Sequence, residues 1–256
     1  MVIMRASTAT RVLWTLCVTA VVLFTTVALT VPAGAQARRI VIWFIGFNTT
    51  LPPFDSLQAR QAVASAVDRA QLAAADANFP LVSVEPPGCL AHNPNARIHS
   101  YNPQRAQEQW TQSGVKLDDV GDLTLWFLSA LRRGDSRREL EILQANLQAI
   151  GLKLTLREFG NYTAFDRIAT LPVVKMSYWG IGWNTDGCSR ETFLEDLVHS
   201  KGDFNRFGYK NPDVDALIDR AKAANDRATK IRLYQEAQDK ALEEAVIVPI
   251  WWWSPR

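Results

Sequence analysis

The sequence predicts an α/β layer fold with a largely covered sheet. Three observations carry that prediction. Runs rich in β-branched and aromatic residues recur along the chain, as in Arg39–Asn48, Leu123–Leu128 and Val246–Trp252. Amphipathic helical patterns fall between them, as at Leu140, Leu143, Leu147 and Ile150. Asn-Pro pairs, glycines and proline clusters punctuate the boundaries. Strands alternating with helices bury a sheet between layers.

The first 35 residues stand apart from that fold. Arg5 and Arg11 precede an apolar run from Val12 to Val31, followed by Pro32 and the small residues Ala33-Gly34-Ala35 and Ala35-Gln36-Ala37. A basic start, an apolar middle and an A-x-A-like end read as an export signal, with cleavage expected near Ala35 or Ala37. The apolar run is also long enough to span a bilayer, which needs about 20 residues, so an uncleaved N-terminal membrane anchor is the alternative. Residues 36–256 then form one domain.

Arg39 to Asn48 reads as a strand that ends in Asn48-Thr49-Thr50 and Pro52-Pro53. Ser56 to Leu72 reads as one helix with Val63, Ala66 and Val67 on a shared face. Residues 78–100 hold Pro80, Pro86, Pro87, Gly88 and Pro94 and form an irregular crossing segment. Asn102-Pro103 opens a helix, Asn as cap and Pro in the first turn, and Gly114 closes it. After the strand Leu123–Leu128, Ser136-Arg137-Arg138-Glu139 is a capping box leading into a helix that Gly151 terminates. Leu152–Phe159 alternates as a strand, Tyr162–Ile168 is a short helix, and Val173–Trp179 is a strand leading to a Gly-rich turn. Glu191–Val198 is helical. Asn211-Pro212 starts a helix with Val214, Leu217, Ile218 and Ala221 on its apolar face. A second helix runs from about Asp226 to Glu244, and Val246–Trp252 ends the pattern as an aromatic strand.

Composition narrows the function. The 28 Lys and Arg lose two with the export segment, leaving 26 against 26 Asp and Glu. Balanced charge gives no sign of a nucleic-acid partner. Removal of the segment takes Cys17 and leaves Cys89 and Cys188, a natural disulfide pair in an oxidising compartment, with two separate buried thiols as the other reading. His92, His99 and His199 show no zinc-ligand spacing, and His92 and His99 are expected at solvated loop positions. There is no G-x-S-x-G elbow, no P-loop and no complete G-x-G-x-x-G turn, since Gly180-Ile181-Gly182 lacks the third glycine. No enzyme, metal or cofactor is expected.

The stretch from Tyr178 to Gly187 holds indoles and a carboxylate at the end of a strand, where open α/β sheets commonly bind ligands. Trp179, Trp183, Asn184 and Asp186 are the candidate ligand-binding residues. Indole offers apolar area and one donor, and an ionised Asp pairs with an ammonium group. An Asn-Thr-Asp-Gly turn beside core tryptophans is the alternative on composition.

This stretch resembles the tryptophan–aspartate segment of the family 5 extracellular solute-binding proteins, the dipeptide and oligopeptide receptors of ABC importers. Trp183, Asp186 and Phe193-Leu194 stand at the family's spacing. Other resemblances follow in chain order: Phe47-Asn48 with Pro52-Pro53-Phe54; Arg60-Gln61-Ala62 through Asp68-Arg69; Tyr101-Asn102-Pro103 with Ala106 and Gly114; Gln144 through Leu147 with Ile150-Gly151; Tyr209 through Asp215; and Tyr234-Gln235 through Gln238 with Pro249-Ile250. The resemblance implies a periplasmic-binding-protein-like lobe, a mixed sheet with helices on its faces. It implies a non-enzymatic binding component that hands a peptide or related small solute to an ABC permease complex. By the same resemblance, Asp186 pairs with the ligand's α-amino group.

Two departures qualify this. Ser189-Arg190 stand where the family has an acidic residue and proline, and Arg190 adds charge that would suit an acidic ligand. The matched residues resemble only the family's second lobe, so the resemblance implies a one-lobed component, either truncated or completed by a separate first-lobe chain. The protein is expected to be exported to the periplasm or exterior. The competing reading is a membrane-tethered interaction domain that keeps the lobe fold without binding solute.

Overall fold

The computed structural model describes residues 39–75, 77–121, 123–128, 136–171, 173–184 and 193–254. The expected export segment, Asp186, Cys188 and Ser189-Arg190 lie outside the described residues. β1 (Arg39–Phe47) is buried at every position after Arg39, as its unbroken β-branched and aromatic run requires of a strand covered on both faces. β2 is the short Phe79–Pro80, β3 is Leu123–Leu128, β4 is Leu154–Phe159, β5 is Met176–Asn184 and β6 is Ile247–Trp253. They form one sheet in the order β2-β6-β1-β5-β3-β4. β1 pairs antiparallel with β5 and β6, while β3 is parallel to both β4 and β5. The sheet is therefore mixed.

Nine helices are described: α1 (Leu57–Ala66), α2 (Arg69–Ala75), α3 (Pro103–Gln112), α4 (Leu117–Val120), α5 (Ser136–Gln148), α6 (Tyr162–Ile168), α7 (Phe193–Val198), α8 (Pro212–Ala223) and α9 (Arg227–Glu243). Both sheet faces are covered. Tyr178 and Trp179 are consecutive in β5, and both are fully buried, Tyr178 against Glu139 of α5 and Trp179 against Phe165 of α6. The expected apolar faces are the buried ones. Leu140, Leu143, Leu147 and Ile150 are all buried, as are Val214, Leu217, Ile218 and Ala221. Each of the Leu, Ile and Val side chains contributes about 1.5–3 kcal/mol by leaving water. Residues Arg38–Arg256 make a single compact unit.

Two local expectations are corrected. The helix expected over Ser56–Leu72 breaks at Val67, which adopts an extended conformation. Asp68 caps α2 by accepting from the Gln71 amide at 3.0 Å, and its own amide donates to Asn146 Oδ1 at 2.9 Å. A side chain that satisfies an amide this way competes with helix continuation. The second correction concerns Gly180-Ile181-Gly182, which lies in β5 rather than in a turn. These residues pair with Trp43, Ile42 and Val41. A Cβ on Gly180 would lie 2.5 Å from the Trp43 indole, and one on Gly182 would lie 2.6 Å from Arg39 Nε. The glycines make room for neighbouring side chains.

Candidate functional site

β3, β5 and β6 run in the same direction, so their carboxyl ends and the start of β1 share one edge of the sheet. At that edge Arg39 stands opposite Asn184, Ile40 opposite Trp183, and Val41 between Gly182 and Trp253. Ligands of open α/β sheets are held outside such ends. The backbone register places Trp183 and Asn184 at this end of β5, while Asp186 lies outside the described residues.

Trp179 is not there. Its ring is fully buried, edge-on to Phe44 at 4.8 Å and packed against Phe165 at 4.8 Å and Phe207 at 6.2 Å. Its Nε1 is buried without a hydrogen-bond partner among the described residues. Expected beside a ligand, Trp179 is instead a core residue, because the strand that carries it is covered on both faces.

Three side chains at or behind the edge were not singled out from sequence as site residues. Arg39 is exposed and its side chain crosses Gly182. Among the described residues its guanidinium has no hydrogen-bond or ion-pair partner. Glu139 enters the core from the first turn of α5 and accepts from the Tyr178 hydroxyl and Trp251 Nε1, which itself lies 2.9 Å from the Tyr178 oxygen. Trp251 in turn stacks on Trp43 at 5.3 Å. The expected capping-box Glu thus reaches across to β5 and β6 and pins α5 to the sheet. Glu85, in the crossing segment, is fully buried and accepts from the Leu194 amide at 2.9 Å.

The crossing segment also carries Cys89, which is disulfide-bonded. Its partner lies outside the described residues, as both Cys17 and Cys188 do. His92 and His99 are half-buried and bonded rather than solvated. His92 Nδ1 lies 2.7 Å from the Glu85 carbonyl and His99 Nε2 lies 3.1 Å from the Glu243 carbonyl. Burial holds the His99 imidazole below its ordinary range. Of the terminal tryptophans, Trp251 is wholly buried, while Trp252 and Trp253 are half-buried at the rim. Trp252 lies 5.3 Å from Phe79, which is 56% exposed. Among the described residues no group of His, Cys, Asp and Glu is arranged to hold a metal ion, and no helix is long and apolar enough to cross a membrane.

A profile described as bacterial extracellular solute-binding proteins, family 5 Middle, matches residues 23–205. Heme-binding protein A of Haemophilus influenzae is 26% identical over 229 residues, 84% of this chain and 40% of that protein. Glutathione-binding protein GsiB of Salmonella choleraesuis is 29% identical over 218 residues, 81% of this chain and 41% of that protein. The chain thus spans about two-fifths of the length of these relatives. A dipeptide binding protein from Pseudoalteromonas, solved with Met-Leu, shares the fold with a TM-score of 0.69 and 24% identity, over 88% of this chain and 47% of that one.

Proposed function

The chain belongs to the bacterial extracellular solute-binding proteins of family 5, and on that premise we propose that it is the substrate-binding component of a bacterial ABC importer for peptides or related solutes. The observation that carries this reading is the sheet edge where Trp183 and Asn184 end β5 opposite Arg39. Phe193 and Leu194, the downstream members of the family spacing, are fully buried at the start of α7. The described elements on either side of the intervening stretch, β5 and α7, are thus held in the fold, which supports a role in binding.

In this reading Trp183 supplies an apolar wall and the Asp186 carboxylate meets the ligand's ammonium group. Relatives named for heme and glutathione leave a range of cargo. The proposed ammonium contact favours peptides and peptide-like solutes. Arg39 places a cation at the same edge that suits a carboxylate on the same ligand. No bond in the solute is made or broken; the protein binds it and presents it to the permease complex.

A cleft ligand is ordinarily buried from two sides, and residues 36–256 correspond to one wall. A separate first-lobe chain is the source we propose for the other. Export follows from the leading segment, with cleavage near Ala35 or Ala37 and function in the periplasm or outside the cell.

NMR titration of the exported protein with millimolar Met-Leu tests the location of binding. Amide shifts are expected at Arg39–Val41, Gly180–Asn184 and Trp251–Trp253. Shifts confined to α8 and α9, or no shifts even with a first lobe supplied, would remove the proposed site.

A further inference from the structure

We propose that Glu85 is a positioning residue for the candidate site, anchoring the first turn of α7 to the crossing segment through Leu194. This rests on the ligand reading given above. The geometry that carries it is a clamp with two sides. On one side, Gln238 of α9 fixes the segment, its Oε1 accepting from Ser83 Oγ at 2.9 Å, Val84 N at 2.8 Å and Glu85 N at 3.2 Å. Gln235 of α9 adds a bond from Nε2 to the His92 carbonyl at 3.0 Å. On the other side, the Glu85 carboxyl accepts the Leu194 amide at 2.9 Å. Cys89, four residues on, adds a covalent tie to a cysteine outside the described residues.

Glu85 is wholly buried, and its second oxygen has no hydrogen-bond partner among the described residues. Local turn or helix chemistry does not call for an acid at this position. A fully buried carboxyl with no cationic partner among the described residues is expensive unless it serves a specific contact, and the contact it makes is with the first turn of α7.

The charge environment gives the inference a pH signature. Burial, reinforced by the like charge of Asp196 on α7 and opposed by the Leu194 hydrogen bond, pushes the Glu85 carboxyl up to about 8. From its own segment His92 meets the Glu85 carbonyl rather than the carboxyl, and α9 presents the neutral Gln238. A carboxyl whose folded pKa is raised holds its proton more tightly in the folded state. Its contribution to stability is complete below the ordinary carboxyl range and is lost as pH rises toward about 8.

The test compares wild type, Glu85→Ala and Glu85→Gln, the last keeping an oxygen acceptor and removing the titration. Amide hydrogen exchange at one pH should show Leu194–Val198 about tenfold or more faster in Glu85→Ala, with α8 and α9 unchanged and Glu85→Gln close to wild type. The melting temperature of Glu85→Gln relative to wild type should rise by several degrees between pH 5 and pH 8. Met-Leu affinity, read on the same samples, should fall several-fold in Glu85→Ala and recover in Glu85→Gln. Unchanged exchange at α7, acceleration spread evenly over the sheet, or parallel melting curves would overturn the anchoring role. Full α7 loosening with unchanged Met-Leu affinity would overturn positioning. If wild type binds no Met-Leu while α7 responds as expected, the ligand reading fails and the anchor stands.

Discussion

Gly180 and Gly182 show how single residues shape the candidate edge. Each lacks a side chain because a neighbour occupies the space, the Trp43 indole in one case and the Arg39 side chain in the other. Gly180→Ala would force Trp43 off its stack with Trp251, and overpacking of that kind costs about 1–3 kcal/mol. Circular dichroism melts should show a loss of roughly 2–4 °C for each kcal/mol, and an unchanged melting temperature would mean Trp43 has room to move. The sequence made Trp179 and Trp183 look alike as candidates. Distinguishing them takes the knowledge that β5 is covered on both faces near Trp179 and reaches the edge only at Trp183, and coverage is set by distant helices. Glu85 and Glu139 were illegible as core residues for the same reason. Nothing local to a Ser-x-x-Glu pattern announces that its Glu will meet Tyr178 and Trp251.

At the scale of elements, most of the fold was legible, because strand and helix signals are local. Asn102 and Asn211 cap α3 and α8 as their Asn-Pro pairs require, Asn102 accepting the Arg105 amide and Asn211 the Asp213 and Val214 amides. The motif residues that carried the family resemblance turn out largely to staple elements together. Arg60 donates to the Glu244 and Phe54 carbonyls, and Arg69 donates to the Pro249 and His99 carbonyls. Burial lowers the Arg69 guanidinium to about 10, still well above neutral pH, so it remains charged against those carbonyls. Asn211 also donates to Glu244 Oε1 at 2.7 Å. Asn211→Ala should therefore cost about 1–2 kcal/mol, read as a shifted urea midpoint with an unchanged slope. A midpoint within error of wild type would show that Pro212 alone suffices to start α8. What the sequence concealed were the features set by long-range partners: the break at Val67, tied to Asn146, and the extension of β5 through its glycines, tied to β1.

For the whole molecule, the family, the fold and one edge of the sheet agree. In a mixed six-stranded sheet covered on both faces, the carboxyl ends of β3, β5 and β6 are the place proposed for the solute. The disulfide at Cys89 belongs to this scale, since it ties the crossing segment to a distant part of the chain. We expect Cys188 to be its partner. Mature exported protein, denatured without reductant, should then show no alkylatable thiol, whereas two alkylated cysteines would remove the pairing. The central claim is that the edge recognises a ligand's ammonium group through Asp186, and a four-way comparison tests it most directly. Met-Leu and N-acetyl-Met-Leu are titrated against wild type and Asp186→Asn, with a first lobe supplied or at millimolar peptide by NMR. A charge-assisted hydrogen bond is worth about 1.5–3 kcal/mol, so acetylation should weaken wild-type binding by roughly 10- to 150-fold. It should leave Asp186→Asn nearly indifferent. Equal binding of both peptides to wild type would contradict the account and return Asp186 to the role of a turn residue.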